Sequence, residues 1–430
     1  MEKFPKVLTI SGDPFNKSNG TGITLSNLFD GWDKNCIAQI YLSDIAPSND
    51  VCNKYYKLKP QVVFFDYYLR KVLSFFSKSE SEIAISPAGV IQNSLQESFK
   101  SKIHLNLRAI ADFSPLFLSE DMFIWIKEFN PDIIYCALGS ARMINLTNEI
   151  AAKIRKPIVP HFMDDWPSTL YTQNELGGLA RKMFNNKFNK ILLKSNGGLC
   201  ISEQMAEKYK IRYKLPFSPF VNCVNDSLFS APVFIKNEEF ILMYVGGLHL
   251  NRWQSILDIS EAIEQLNLAG KKIVLKIHCP LRDINLFEKH FVNFPATKFE
   301  GSLSSDEVAT TLKKASLLLH IESFEENYAE FTKFSLSTKI PQYMAAGKPI
   351  FGYGPFILAS MQHIVKSNSG KVVSEKNQKK LIESIEELVT KSELLYQYAL
   401  NGFSFAERFH SKSYNEKKLK KVLISYSKLD

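Results

Sequence analysis

A glycine pair followed by an arginine, in the second half of the chain, marks one segment that could bind phosphate. Gly246 and Gly247 stand between an apolar run at 240–245 and the start of a helical pattern, and Arg252 follows shortly after them. Glycines let backbone N–H groups approach a ligand closely, and a guanidinium supplies a fixed cation for a diphosphate. We therefore predict that this turn binds a diphosphate and that Arg252 acts in catalysis; the alternative is a surface charge.

A second phosphate-binding segment lies at 334–351 and reads FSLSTKIPQYMAAGKPIF. Ser337 and Thr338 precede a helical pattern, and hydroxyls together with the free N–H groups of a helix start suit a phosphate. Lys339 adds a catalytic cation at the same place. Gln342 lies one turn further along, where its side-chain amide could reach a ribose. The segment predicts the other half of a nucleotide site.

A histidine and two carboxylates share the segment 159–167, VPHFMDDWP. His161 stands at the carboxyl end of a predicted strand, and Asp164 and Asp165 follow on a loop. Adjacent carboxylates could hold a divalent cation, but no other ligand cluster supports one, so we predict no metal site. We expect His161 to meet a ligand and act in catalysis, with the two aspartates on the acceptor side. The alternative is a structural histidine beside solvated carboxylates.

The amino-terminal segment 11–29 carries a glycine loop between a predicted strand and a predicted helix. Gly20 and Gly22 would let the backbone approach a ligand, and Thr24 could cap the helix. A dinucleotide fingerprint would place glycines directly after the strand and a third at position 25, which is Leu25. We therefore predict that Gly22 contacts a bound ligand but that this loop does not bind a dinucleotide.

Short apolar runs alternate with helical patterns along the chain, which is typical of a parallel α/β fold. The pattern breaks at 213–230 and then restarts. We predict two Rossmann-like domains facing each other across a cleft, at 1–215 and 225–400, with a carboxyl-terminal helix at 405–430 packing back on the first. Within the first domain we expect a strand at 83–85 and an apolar helix at 62–76. That helix suits the core, an acceptor pocket or a shallow membrane contact.

Composition limits the possible environments and partners. The chain has 430 residues, with 53 Lys and Arg against 44 Asp and Glu, a net charge of +9. This excess suits an anionic partner, but the charge is not gathered into a nucleic-acid module, so we predict none. The six cysteines are scattered, which favours reduced thiols. Without a signal peptide or membrane span, we expect a cytoplasmic protein whose only membrane contact would be peripheral, through the basic face of helix 413–429.

The order of these motifs resembles that of a known enzyme family. Gly246, Gly247, Leu248 and Arg252 are similar to a "Gly-Gly/Arg-Leu … Arg/Lys-Gly" segment, and 342–349 (QYMAAGKP) is similar to a "Glu-Ala-Met-Ala-Ala-Gly-x-Pro" helix. Weaker matches follow the same order along the chain: the amino-terminal glycine loop, 199–209, 222–229 and 299–308. The chain thus resembles the GT-B glycosyltransferases, particularly the large retaining nucleotide-sugar family (group 1, family four).

The resemblance implies a hexosyltransferase-type activity. A sugar would move from a nucleoside diphosphate sugar to a hydroxyl of a carbohydrate or glycolipid acceptor, with retention of configuration and without a cofactor or metal. The expected setting is the assembly of surface polysaccharide or glycoconjugate. His161 would face the donor sugar, while Gly22, Gly246, Gly247, Ser337, Thr338 and Gln342 would bind the donor.

Two positions depart from the family pattern. The family usually carries two glutamates, and here Gln342 stands at the second, which binds ribose, and Phe334 at the first. The role of the first glutamate would be missing or taken by a nearby carboxylate: Glu322, Glu325, Glu326 or Glu330. Two alternative functions therefore stay open. One is a nucleotide-sugar epimerase on the same scaffold, and the other is a catalytically degenerate GT-B protein that only binds its ligand.

Overall fold

A computed structural model describes residues 4–18, 20–58, 99–233 and 239–428. The chain divides into two compact units. Unit 1 comprises Met1–Phe220 together with Glu416–Asp430, and unit 2 comprises Val221–Asn415. Each unit contains its own parallel sheet. The helix predicted at 62–76 and the strand predicted at 83–85 lie outside the described residues.

The sheet of unit 1 has seven parallel strands in the order β3-β2-β1-β4-β5-β6-β7. The strand order reverses between β1 and β4, and in open α/β sheets such a reversal opens a crevice at the carboxyl ends of the strands. Strands β1, β2 and β5 are buried along their whole length, which explains their nearly unbroken apolar sequences. The strands are β1 (Val7–Ile10), β2 (Ile37–Tyr41), β3 (Tyr55–Lys57), β4 (Ile133–Ala137), β5 (Ile158–Phe162), β6 (Gly198–Cys200) and β7 (Phe217–Pro219).

Helices connect the strands of unit 1. Three of them begin after a serine, Ser119, Ser140 or Ser202, whose hydroxyl accepts a backbone N–H from the first turn and so satisfies a donor that the helix leaves unpaired. The helices are α1 (Gly20–Phe29), α2 (Phe99–Asp112), α3 (Glu120–Phe129), α4 (Ala141–Ile154), α5 (Trp166–Thr169), α6 (Leu179–Leu192) and α7 (Glu203–Tyr213).

Unit 2 repeats this architecture with six parallel strands in the order β10-β9-β8-β11-β12-β13. Here the strand order reverses between β8 and β11. The strands are β8 (Phe240–Val245), β9 (Ile273–His278), β10 (Thr297–Phe299), β11 (Leu317–Ile321), β12 (Ile350–Tyr353) and β13 (Gly370–Val373). The helices are α8 (Arg252–Leu268), α9 (Leu281–Phe287), α10 (Ser305–Leu312), α11 (Glu326–Thr332), α12 (Lys339–Ala345), α13 (Ala359–Lys366), α14 (Gln378–Thr390) and α15 (Ser392–Phe409).

The last helix, α16 (Lys412–Ser427), begins in unit 2, and from Glu416 onward it belongs to unit 1. Its apolar residues Leu419 and Leu423 are fully buried in the core of unit 1. The Lys418 ammonium donates a hydrogen bond to the carbonyl of Pro219 at 2.6 Å. Lys418 therefore serves a contact within unit 1, and the basic face predicted for this helix is smaller than its sequence indicates.

Two further findings bear on the expected environment. All six cysteines are buried, and none of them is in a disulfide within the described structure. Among the helices of the described ranges, none has the length and apolar character needed to cross a membrane.

Candidate functional site

The candidate site of unit 2 lies where the strand order of its sheet reverses. Strands β8 and β11 are neighbours there, and they end at Val245 and Ile321. Gly246 and Glu322 are the first residues beyond these ends. Because parallel sheets bind ligands outside the carboxyl ends of their strands, most readily at such a reversal, the turns that begin at these two residues are where a ligand of unit 2 is expected.

The turn after β8 is fixed by hydrogen bonds and leaves several amides unused. The Gly246 N–H donates to the His278 carbonyl at 2.9 Å, and the Leu248 N–H donates to Asp283 Oδ2 at 2.7 Å. Within the described chain, the N–H groups of Gly247, His249 and Leu250 have no acceptor. Such amides, gathered in one turn at a sheet edge, are suited to an anion.

The backbone of this turn enters helix α8 through a strained conformation. Leu250 and Asn251 both have a φ of 58°, in the left-handed region that non-glycine residues seldom adopt, and Arg252 is the first residue of the helix. Strain of this kind concentrates at functional sites. A Cβ on Gly247 would overlap the His249 ring, so the lack of a side chain there is needed for local packing as well.

Arg252 is paired in this structure. Its guanidinium donates three hydrogen bonds to the Glu322 carboxylate: Nε to Oε2 at 3.2 Å, Nη2 to Oε1 at 2.9 Å and Nη2 to Oε2 at 3.0 Å. Both side chains are mostly buried, at 16% and 7% exposure. The guanidinium Nη1 lies 3.4 Å from His249 Nε2. The structure therefore places a counter-ion beside the cation that the sequence predicts for a diphosphate.

Lys339 is the second cation at the site. It is the first residue of α12 and partly buried. Burial lowers the pKa of its ammonium, and the charge of Arg252 lowers it further. No carboxylate of the described residues pairs with it. Arg252 and Lys339 thus meet at this sheet edge, and of the two only Arg252 has a carboxylate partner in the described chain, so Lys339 is available to an anionic ligand.

The start of α12 differs from the prediction of free helical amides. The Lys339 N–H donates to Ser337 Oγ at 3.3 Å, and the Ile340 N–H donates to the Ser337 carbonyl at 3.2 Å. Pro341 has no N–H group. The first three residues of α12 thus offer no free N–H donor. Lys339 and Ile340 donate to Ser337, and Pro341 has no N–H group. Thr338 makes no side-chain cap.

Gln342 lies on α12 one turn after Lys339, as its sequence position predicts. Its side chain is partly exposed, and no other side chain or backbone group of the described ranges forms a hydrogen bond with its amide. Both the donor and the acceptor of this amide are therefore available to a ligand.

The carboxylates considered as replacements for the first family glutamate are placed differently. Glu322 binds Arg252, and Glu325 accepts a hydrogen bond from Asn251 in the same turn. Glu330 instead forms an ion pair with Lys333 at 2.9 Å. Glu326 is the first residue of α11, and Phe334 follows that helix. Glu322 and Glu325 are thus the two that the fold brings to the glycine turn.

Two histidines at this site are absent from the sequence prediction. His249 lies in the glycine turn, and His320 is the fourth residue of strand β11, with 5% of its surface exposed. His320 Nε2 lies 3.8 Å from Glu322 Oε1. The available signal was a polar residue within the otherwise apolar run LLLHI, because a buried strand rarely includes an ionisable side chain without a reason.

In unit 1, His161 is enclosed by the core. It is fully buried, and its Nδ1 is hydrogen-bonded to the Tyr135 hydroxyl of the neighbouring strand. Burial lowers the pKa of the imidazole to about 3, despite an opposing effect of the Phe220 backbone. His161 thus lies one residue before the end of strand β5 and is enclosed within unit 1, and its catalytic role stays a prediction.

The two aspartates that follow are not equivalent. Asp165 Oδ1 accepts hydrogen bonds from the Tyr209 hydroxyl and from Arg212 Nη1, the latter at 3.3 Å, and only 8% of the residue is exposed. This carboxylate links helix α7 to the loop after β5. Asp164 is half-buried. The Asp165 carboxylate is thus held by contacts within unit 1. This placement does not support the prediction that Asp165 faces an acceptor.

The amino-terminal glycine loop also serves packing within unit 1. Helix α1 begins at Gly20, earlier than predicted, and Thr24 lies inside it with its hydroxyl donating to the Gly20 carbonyl at 2.9 Å. A Cβ on Gly22 would overlap the Asn16 side chain, whose Oδ1 accepts the Ser18 N–H at 2.9 Å. The close approach that Gly22 permits is therefore to Asn16 of the same loop.

Across the described ranges, no group of three or more His, Cys, Asp or Glu side chains is arranged to hold a metal ion. The two carboxylates of the segment 159–167 do not form such a group.

Comparison with solved structures assigns the fold. The Anabaena protein HepE in complex with UDP and glucose matches 98% of this chain and 100% of its own, with a TM-score of 0.64 and 12% identity. A glycosyltransferase from Rickettsia africae matches 98% of both chains, also with a TM-score of 0.64 and 12% identity. The chain has the GT-B fold. Both the predicted α/β class and the resemblance to GT-B glycosyltransferases are confirmed at the level of the fold.

The GT-B fold also includes an enzyme of another class. UDP-GlcNAc 2-epimerase from Neisseria meningitidis, bound to UDP-GlcNAc, matches 97% of this chain and 99% of its own, with a TM-score of 0.52 and 13% identity. Neither protein-family models nor curated protein sequences give a match to the chain.

Proposed function

We propose that the protein is a glycosyltransferase that moves a sugar from a nucleoside diphosphate sugar to an acceptor hydroxyl. The observation that carries the proposal is that Arg252 and Lys339 meet at the strand-order reversal of the unit 2 sheet, where Lys339 has no carboxylate partner among the described residues. The unused amides of the glycine turn add neutral donors on the same edge. A diphosphate matches both features, because it carries two negative charges and several acceptor oxygens.

The same residues account for the chemistry of the transfer. When the bond between the sugar and the diphosphate breaks, negative charge grows on the leaving group. A fixed guanidinium and ammonium stabilise this charge best if they are already positioned before the reaction. Gln342, one turn into α12, would hydrogen-bond the ribose hydroxyls. The diphosphate charge would thus be met by side chains, in a reaction without a metal or cofactor.

The remaining features of the proposal rest on the family resemblance. It supports transfer of a hexose with retention of configuration, to a carbohydrate or glycolipid acceptor, in the assembly of surface polysaccharide or glycoconjugate on the cytoplasmic side. HepE was solved with UDP-glucose, so a uridine nucleotide is our first choice of donor. Since His161 is enclosed in the core, we assign the donor contacts to the unit 2 residues.

A nucleotide-sugar epimerase is the second candidate. The observation in its favour is the group of titratable side chains around the glycine turn: His249, His320, Glu322 and Glu325. Epimerisation needs acid and base groups next to the sugar. Incubation of the protein with UDP-GlcNAc alone, followed by proton NMR, separates the candidates. An epimer formed without any acceptor would favour the epimerase.

Thermal unfolding with a panel of nucleotide sugars tests the proposed site. UDP-glucose, UDP-galactose, UDP-GlcNAc and GDP-mannose form a suitable panel, because a ligand at 100 times its Kd adds about 2.7 kcal/mol to the free energy of unfolding. We expect at least one to raise the Tm, and Arg252→Ala and Lys339→Ala to abolish the shift. Lys313→Ala, an exposed lysine of the same unit, is the matched control. Equal shifts in all three variants would show that the diphosphate binds elsewhere.

A further inference from the structure

His320 is a buried base that the proposed transfer does not use. It lies in β11 next to the strand end, and 95% of its surface is covered, since 5% is exposed. Its Nε2 has no hydrogen-bond partner among the described residues, although Glu322 Oε1 lies only 3.8 Å away. A buried polar nitrogen without a partner is costly. Such an atom, aimed at a carboxylate but too far to bond it, indicates a second arrangement of that carboxylate.

Glu322 lies between two possible partners. In this structure it binds the Arg252 guanidinium with both oxygens, and His320 is left without a bond. The charged groups that act on the His320 ring are Glu322 from its own strand end, Arg252 from α8 and Lys339 from α12. Burial and the two cations hold the pKa of His320 down to about 4, against the opposing effect of Glu322. At neutral pH the ring is therefore uncharged.

We propose that Glu322 is a partner-switching carboxylate, which neutralises Arg252 as seen here and pairs with a protonated His320 when Arg252 turns to an anionic ligand. The ligand half of this proposal rests on the proposed nucleotide-sugar function. A diphosphate competes with Glu322 for the same guanidinium. A buried carboxylate deprived of its partner is strongly unfavourable, and protonation of His320 supplies the replacement cation 3.8 Å away.

The exchange consumes one proton. The proton comes from solvent and adds to His320 Nε2; no covalent bond between heavy atoms changes. Because Glu322 then lacks the guanidinium and His320 Nε2 lies 3.8 Å from its Oε1, binding raises the pKa of His320 from about 4. Between the pKa of His320 in the free protein and its raised pKa in the complex, nucleotide affinity falls as pH rises. Below about pH 4 the ring is already charged, so binding takes up no proton there. His320 and Glu322 are thus positioning residues that couple diphosphate binding to pH.

A ligand-free double-mutant cycle tests the switch by itself. The pKa of His320 is measured by NMR of ring-labelled protein, with His320→Gln identifying its signal, in wild type, Arg252→Ala, Glu322→Gln and the double variant. Loss of Arg252 should raise the pKa by about one to three units. In the double variant most of this rise should disappear, because the carboxylate is gone. An equal rise with and without Glu322 would overturn the proposal, since the effect would then come only from losing the Arg252 charge or admitting water.

Calorimetry on the wild-type chain tests the ligand half and does not depend on the folding of the variants. UDP-glucose is the probe, because its diphosphate is esterified at both ends and does not titrate near neutral pH. Titrations at pH 5, where this diphosphate does not titrate either, in two buffers of different ionisation enthalpy should show uptake of about half a proton or more, and none in His320→Gln. Binding without proton uptake would overturn the proposal. If no nucleotide sugar of the panel binds, the proposed function fails, and the ligand-free cycle still decides whether Glu322 and His320 pair.

Discussion

Lys339 lies close enough to Arg252 for the guanidinium to lower the pKa of the lysine ammonium, and no carboxylate of the described chain pairs with that ammonium. Glu322 neutralises Arg252 instead, through three hydrogen bonds. The two cations are therefore not equivalent. Arg252 is stabilised by its pairing with Glu322, whereas Lys339 is a partly buried charge without a carboxylate partner in the ranges that the structure describes.

This difference predicts opposite effects on stability and binding for Lys339. Lys339→Met keeps the length of the side chain and removes the unpaired charge, so we expect the free energy of unfolding to rise by roughly 0.5–2 kcal/mol. Binding of the nucleotide sugar should weaken at least tenfold. Urea unfolding and calorimetry measure the two quantities, with Lys313→Met as the exposed control. A destabilised Lys339→Met would contradict the assignment of an unpaired charge.

Replacement of Gln342 by glutamate should strengthen the binding of a nucleotide sugar. An amide is a weaker acceptor for ribose hydroxyls than a carboxylate, and the Gln342 side chain has no internal partner among the described residues that a substitution would disrupt. We expect Gln342→Glu to tighten the binding of a nucleotide sugar severalfold while leaving the Tm of the free protein within a few degrees.

A ligand without ribose hydroxyls is the control for the tighter binding expected of Gln342→Glu. A 2′,3′-dideoxyribose analogue of the same nucleotide sugar lacks the hydroxyls, so wild type and Gln342→Glu should bind it equally. If the variant tightened both ligands to the same extent, residue 342 would act through the overall charge of the site, and the proposed ribose contact would be wrong.

Alanine substitutions at Gly22 and Gly20 should differ in their effect on the free energy of unfolding. A methyl group on Gly22 would overlap the Asn16 side chain, which holds the loop through the Ser18 N–H, whereas a methyl group on Gly20 would meet no atom within 4 Å in the described structure. We expect Gly22→Ala to lower the free energy of unfolding by roughly 1–3 kcal/mol and Gly20→Ala to change it by less than about 0.5 kcal/mol. Urea unfolding of both variants checks this, and equal effects would contradict the packing role of Gly22.

The strands were the most predictable part of the fold. The apolar run at 240–245, recognised from sequence alone, has the bounds of strand β8. A strand buried on both faces needs an unbroken apolar run, and that is a local property of the sequence. Helix starts were less predictable. Thr24 looks like a cap, but α1 begins at Gly20, because the loop is fixed by Asn16 and not by a cap at Thr24.

The contents of the site could be predicted only in part, because pairing depends on residues distant in sequence. The glycine turn and Lys339 were predicted by their types and spacing. The partner of Arg252 was not, since Glu322 is 70 residues away and meets it only because β8 and β11 are neighbours. The contacts of His161 could not be predicted either. Its sequence position suits a ligand, and only the fold shows that it is buried and bonded to the Tyr135 hydroxyl.

The buried state of His161 predicts a pH dependence of stability. The folded protein holds its pKa at about 3, below the ordinary value of 6.5. The unfolded chain therefore binds the proton more readily. Stability from this group is complete above about pH 6.5 and is lost as the pH falls from there toward 3.

Two variants separate burial of the ring from its hydrogen bond. His161→Gln removes the titrating group, so its free energy of unfolding, measured with urea at pH 7, 6 and 5, should fall less steeply than that of wild type, by up to about 1.4 kcal/mol per pH unit. Tyr135→Phe removes the hydroxyl bonded to Nδ1 but keeps the ring buried. We expect it to be less stable at every pH with an unchanged slope, because desolvation is the larger cause of the lowered pKa. Parallel curves for His161→Gln and wild type would mean that the imidazole is reached by water and is not the enclosed group seen here.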